Sequence, residues 1–224
     1  MKAYRASLLR FDDAGAAVFD TDGLLVTGPD ATGRRVVQAA GSHDALAARY
    51  AHVPVERLPG RILAPGFLDL HIHYPQTDVI GSPAEGLLPW LEHYTFPHEA
   101  RFADPAYAAD VATFFLDELA RNGVTTALTF ATSHPTSVNA LFTEARHRGL
   151  RLITGKVLQD RHSPDGVRDE TEQSLIDTEA LIRRWHVVYP RGKRLSAAAT
   201  AFKDWLFTHS TQTGSSPMAN PRPA

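Results

Sequence analysis

After Pro65 the chain alternates strand and helix signals so regularly that a parallel sheet with helical crossovers is the fold it most readily reaches. Phe67 to His73 reads as a strand. Asp104 followed by Pro105 supplies an N-cap and a first-turn proline, Val111, Phe114, Phe115 and Leu119 recur at helical spacing, and Gly123 supplies the stop. Thr125 to Phe130 (TTALTF) then reads as a strand, Thr136 to Arg148 as a helix ended by Gly149, and Leu150 to Leu158 as a third strand. Asp169 to His186 has the pattern of an amphipathic helix with Leu175, Ile182 and Trp185 near one face. A closed barrel of eight such units takes about 250 residues and at least about 200. Only 159 of the 224 residues follow Pro65. The expected class is therefore α/β, the N-terminal half of a (β/α)8 barrel over residues 64–210.

The ends of the chain differ from this rhythm. Residues 1–63 read as a small β unit: Leu8 to Phe11, Ala17 to Phe19, a turn at Asp22-Gly23, Leu24 to Val26, a turn from Gly28 to Gly33, and Val36 to Ala39. Ser42 is placed to cap a brief helix from Asp44 to Tyr50, before a last strand. From Val187 the regularity fades, leaving an Ala-rich helix from Ser196 and one strand at Trp205 to Thr208. Residues 211–224, rich in Gly, Ser and Pro towards the end, are expected to be disordered.

Composition narrows the function. A formal net charge of -2 gives no reason to expect nucleic acid or an anionic membrane as a partner. No apolar run approaches the ~20 residues of a membrane span. Arg10, Asp12 and Asp13 interrupt the N-terminal apolar stretch before a signal-peptide core forms, so the expected location is cytoplasmic. The absence of cysteine leaves His and carboxylate as the available ligands for a transition metal.

Those ligands have an obvious position. His71 and His73 stand two residues apart at the end of the first barrel strand, so both side chains leave the same face. The carboxyl ends of the strands are where βα barrels build active sites. Asp69, inside the strand, reads as hydrogen-bonding support, and His134, before Pro135, as a cap or supporting residue. Lys156 falls on the expected third strand, where a structural role is expected.

The segment PGFLDLHIHYPQTD resembles the first-strand motif of the amidohydrolase superfamily. LLPWLEHYTFPHEARFAD (87–104), FFLDELARNGVTTALTFATSHPTSV (114–138) and LRLITGKVLQDR (150–161) are similar to its guanine deaminase branch. The resemblance covers roughly residues 1–186 and implies an amidohydrolase-type barrel, with residues 1–63 part of a composite β-sandwich. It also implies a zinc-dependent aminohydrolase that converts guanine and water to xanthine and ammonia, a homodimer in its full-length form. It makes His71 and His73 zinc ligands, lets Gln76 hydrogen-bond the purine, and places Trp90 and Leu91 in the base pocket.

The branch has further machinery downstream, and here the match weakens. Pro190-Arg191 is a displaced counterpart of an arginine segment that holds the base, and His209 in WLFTHSTQT loosely resembles a fifth-strand ligand. Three residues on stands Gln212, where the branch has a proton-shuttling Glu. Nothing corresponds to its sixth-strand His or eighth-strand Asp. Two protein ligands hold zinc poorly, because catalytic sites normally supply three plus water. The expectation is a guanine deaminase by ancestry whose 224-residue form is inactive. The alternatives are a non-catalytic half-barrel that binds a partner, and an amidohydrolase acting on another heterocycle.

Overall fold

A computed structural model describes residues 1–185. The expectations for Arg191, for the helix from Ser196, for the strand at 205–208, for His209 and for the tail at 211–224 lie outside the described residues. The chain divides into two compact units, one from Met1 to Phe67 and one from Leu68 onward.

The first unit is one mixed sheet in the order β3-β2-β1-β4, formed by β1 (Lys2–Phe11), β2 (Ala17–Pro29), β3 (Arg35–Ser42) and β4 (Val55–Leu63). β1 pairs antiparallel with β2 and parallel with β4. Its two tight turns are tied by aspartates. Asp12 accepts from the amides of Ala14 and Ala16, and Asp30 from those of Thr32 and Arg34. These bonds, that from the Thr32 hydroxyl foremost, hold the Asp30 carboxyl down at about 2. Ala3, Leu24 and Val26 on the sheet and Tyr50 and Val53 after the short helix α1 (His43–Leu46) form the small core. That helix is shorter than the expected 44–50.

The expected turn at Asp22-Gly23 does not occur, and β2 runs straight through it. The cause lies on the neighbouring strand. The register of β1 slips between Ala6 and Leu8, and a Cβ built on Gly23 would stand 2.4 Å from the Leu8 Cβ. Glycine is here a close-approach residue at a bulge rather than a turn residue. Asp22 pairs across the strands with Arg5 at 2.5 Å.

The second unit carries a three-stranded sheet, β5 (Phe67–His73), β6 (Val124–Phe130) and β7 (Arg151–Ile153), in the order β5-β6-β7. β6 and β7 run parallel. Between β5 and β6 lie a 3-10 turn (Tyr74–Val79), α2 (Leu87–Trp90), a π-helical turn (Leu91–Thr95), α3 (Phe96–Ala100), a second 3-10 turn (Arg101–Ala103) and the long α4 (Pro105–Arg121). α5 (Pro135–Arg148) joins β6 to β7, and α6 (Thr171–Trp185) follows β7.

Local chemistry explains the two central helices. The Asp104 carboxylate accepts from the Ala106 amide at the start of α4, and Gly123 follows its end at φ +79. Gly149 closes α5 in the left-handed region, at φ +69. Val111, Phe115, Leu116 and Leu119 of α4 and Val138, Leu141 and Ala145 of α5 make the core with Tyr74, Phe102 and Ala127. Burying a leucine or phenylalanine side chain contributes roughly 1.5–3 kcal/mol, so this cluster dominates the stability of the unit.

The third strand is shorter than the expected 150–158. After Ile153 the chain leaves the sheet because Lys156 turns inward: its ammonium, fully buried, lies 2.6 Å from Asp169 and 2.8 Å from the Ser174 hydroxyl. Asp169 also accepts from the Gln159 amide, so 156–169 closes on itself as a stapled loop. Lys156 is thus a loop residue in a buried ion pair. α6 accordingly begins at Thr171 and not at Asp169. No helix among the described residues is long and apolar enough to cross a membrane.

Candidate metal and purine site

The site begins where β5 ends. Period-two alternation sends Asp69, His71 and His73 to one face of the strand and Ile72 to the other, where Ile72 packs on the α4–α5 core. The Asp69 carboxylate accepts from the His71 amide at 3.0 Å, which braces the strand end as expected of a support. The two imidazoles stand edge to face with ring centroids 5.2 Å apart. Burial, and next the neighbouring His71, holds the His73 imidazole below its ordinary value, which favours the neutral, ligating form at pH 7.

Directly after His73 the backbone tightens into the 3-10 turn, with Pro75 in its first turn and Tyr74 buried beneath it, the Tyr74 hydroxyl donating to the Ala108 carbonyl at 2.9 Å. This brings Gln76 round to the same side as the histidines. The helical stretch that begins at Leu87 delivers Trp90 and Leu91 from the other direction, at the junction of α2 with the π-helical turn. Such π turns occur frequently at functional sites, because the extra residue re-aims the side chains that follow.

One cleft of about 850 Å³ collects these groups: Asp69, His71, His73, Gln76, Trp90 and Leu91 line it, with Thr77, Ile80, Leu87 and Phe114. Residues from both faces of β5 reach it, together with Phe114 and Leu119 of α4 and Val124 at the start of β6. Volume and lining suit a small-molecule ligand: pockets of about 300–1,000 Å³ that are mainly apolar with a few polar groups are the rule. Phe114, part of the expected apolar stripe of α4, is 55% exposed and faces this cleft rather than the core.

Two imidazoles on one face, neither with a hydrogen-bond partner among the described residues, are donors that zinc accepts. They fit as two ligands and do not complete a set, since no group of three or more His, Asp or Glu able to hold a metal ion occurs among the described residues. His134 is placed elsewhere. Its Nε2 lies 3.0 Å from the Gly166 carbonyl, tying the loop after β6 to the loop after β7.

Two residues that the sequence pattern did not single out have distinctive surroundings. Phe130, the last residue of β6, stacks on His73 with centroids 4.6 Å apart and planes 11° from parallel. Glu99 at the end of α3 is 7% exposed, and burial pushes its carboxyl up to about 7 against the opposing effect of a hydrogen bond with Gln159. It faces the 156–169 loop and does not line the cleft. Glu99 stands between His98 and Ala100, with Arg101 next, so no local sequence signal marked its burial. For Phe130, only the strand pairing reveals the contact.

Comparison with known proteins follows the same lines. Residues 62–211 match the model of the Amidohydrolase family. Guanine deaminase of Escherichia coli (strain K12) is 50% identical over 127 residues, covering 57% of this chain and 29% of that protein. The crystal structure of guanine deaminase from Bradyrhizobium japonicum superposes with a TM-score of 0.77 at 35% identity, over 84% of this chain and 41% of that one. That of guanine deaminase from C. acetobutylicum, with guanine bound in its active site, gives 0.73 at 27% identity over 94% and 50%. An adenosine deaminase from Xanthomonas campestris with bound zinc, 16% identical with a TM-score of 0.61, shares the fold. The chain spans half or less of the length of these guanine deaminases.

Proposed function

The chain belongs to the amidohydrolase family, and from that premise we propose that it carries the N-terminal half of a guanine deaminase-type zinc aminohydrolase, the reaction being guanine and water to xanthine and ammonia. The observation that supports this most directly is the single cleft in which His71, His73, Gln76, Trp90 and Leu91 meet. His71 and His73 would hold the zinc. Zinc, when bound, would supply hydroxide at neutral pH by lowering the pKa of water to about 7. Gln76 offers both an amide donor and a carbonyl acceptor to a purine edge. Trp90, Leu87 and Leu91 offer apolar walls that exclude water from a flat base.

The half-site character is part of the proposal. Deamination needs a proton carrier near the leaving amine, and the two carboxylates that line the cleft are already engaged, Asp69 with the His71 amide and Glu118 with Arg121. Leu70 and Ile153 are 67% and 61% exposed, the pattern of a sheet that further elements would cover. Arg191 and His209 remain proposed as a base contact and a further ligand. The isolated 224-residue chain is expected to bind zinc weakly and to turn over guanine negligibly.

Zinc competition against a chromogenic chelator, with the wild-type chain beside His71→Ala and His73→Ala, tests the ligand assignment. Binding that is lost in both variants is the expected result, and binding that survives in either sinks it. A guanine turnover assay with added zinc tests the half-site. Turnover at the rate of a complete enzyme would refute it and show that 224 residues suffice.

A further inference from the structure

We propose that Phe130 is a positioning residue that sets the ring plane of His73, and through it the direction of the metal-binding nitrogens; this rests on the zinc reading above. Histidines that ligate metals usually donate their second ring N–H to a carboxylate or a carbonyl, and that bond fixes both tautomer and orientation. Among the described residues neither His71 nor His73 has such a partner. Yet χ2 of histidine is a broad, soft torsion, so an imidazole with nothing to hold it samples a wide range of planes.

What does hold the pair is aromatic. Phe130 lies at the carboxyl end of β6, with its ring 4.6 Å from that of His73 and within 11° of parallel. The same ring meets His71 edge-on, at 5.2 Å and 60°. The histidines meet each other at 5.2 Å and 66°, so the three rings form a closed cluster in which each constrains the other two. A stacked face leaves the two nitrogens of His73 free at the ring edge, the direction from which a metal is bound. Stacked and edge-to-face pairs are each worth about 0.5–1.5 kcal/mol beyond the area that they bury. That suffices to narrow a soft torsion without blocking either nitrogen.

The strand register explains why position 130 can do this. Ala127 and Thr129 are buried on β6, and Phe130, one residue further, points to the opposite face, which is the histidine face of the sheet. An apolar ring 38% exposed at a strand end is otherwise a poor use of a phenylalanine.

The test uses the 224-residue chain as wild type, Phe130→Leu and Phe130→Tyr. In the metal-free protein, a stacked phenyl shifts the His73 ring protons upfield, which proton–carbon NMR reads once His73→Gln has assigned the signal. The wild type and F130Y are expected to show the shift and F130L to lose it. Zinc affinity, by chelator competition, is expected to fall about tenfold in F130L and to stay within about twofold of wild type in F130Y. Zinc affinity unchanged in F130L, or no upfield shift in the wild type, overturns the proposal while leaving the zinc reading intact. A full ring-current shift in a wild-type chain that binds no zinc overturns both. The ring-current measurement is made on the wild type, so a leucine variant that fails to fold does not remove the test.

Discussion

Replacing Glu99 by Gln should make the stability of this protein less dependent on pH between 5 and 8. Burial pushes the folded-state carboxyl from 4.5 to about 7, and the hydrogen bond with Gln159 offsets only part of that. A carboxyl raised in the folded state is favoured there as the neutral acid. Its penalty on stability is therefore absent below about pH 4.5, grows as pH rises through the interval up to about 7, and is constant above it. With about 1.4 kcal/mol for each unit, the penalty is about 1 kcal/mol at pH 5 and about 3 kcal/mol at pH 8, a difference of about 2–3 kcal/mol. Against a total stability of about 5–15 kcal/mol that is a large effect. With a urea slope of about 1–3 kcal/mol per molar, the wild-type midpoint should fall relative to Glu99→Gln by about 1 M on going from pH 5 to pH 8. Glutamine keeps a carbonyl for the Gln159 side chain and cannot ionise. Histidine titrations are common to both proteins and cancel in the difference. Urea midpoints for the two proteins at pH 5, 6, 7 and 8 make the measurement, and a gap that stays constant across the series refutes the reasoning.

Two further substitutions probe contacts that the fold depends on. Gly23→Val places a Cβ 2.4 Å from that of Leu8 in the bulged pairing of β1 with β2, and should cost at least about 1–3 kcal/mol in urea unfolding, whereas Gly33→Asn, in an open turn, should cost far less. Lys156→Ala leaves Asp169 without its buried ammonium, and about 3–5 kcal/mol should be lost, with hydrogen exchange accelerated in the 156–169 loop before the α4–α5 core.

The α4 and α5 helices were readable because their signals are local. Asp104 meets the Ala106 amide two residues on, Pro105 occupies the first turn, and Gly123 and Gly149 adopt positive φ at the ends that they mark. The placement of the candidate site residues was readable for the same reason. His71 and His73 share a face by strand periodicity alone, and Gln76 follows within one 3-10 turn.

Where the reading failed, the deciding atom belonged to another part of the chain. Asp22-Gly23 has the composition of a turn, yet the space that glycine supplies is taken by Leu8, fifteen positions earlier. Leu150 to Leu158 has the composition of a strand, yet Lys156 is drawn out of it by Asp169 and Ser174, thirteen and eighteen positions later. Phe130 belongs with these cases. Within TTALTF it is one more β-favouring residue, and only the placement of β6 beside β5 turns it towards two histidines almost sixty positions earlier. The candidate ligands, which periodicity places on one face, are therefore legible before the residue proposed to orient them. That order matters for this chain. His71 and His73 are the proposed ligand pair, and their rings pack against a neighbour on a different strand. Zinc binding by the isolated half-site is therefore worth measuring as a quantity separate from turnover.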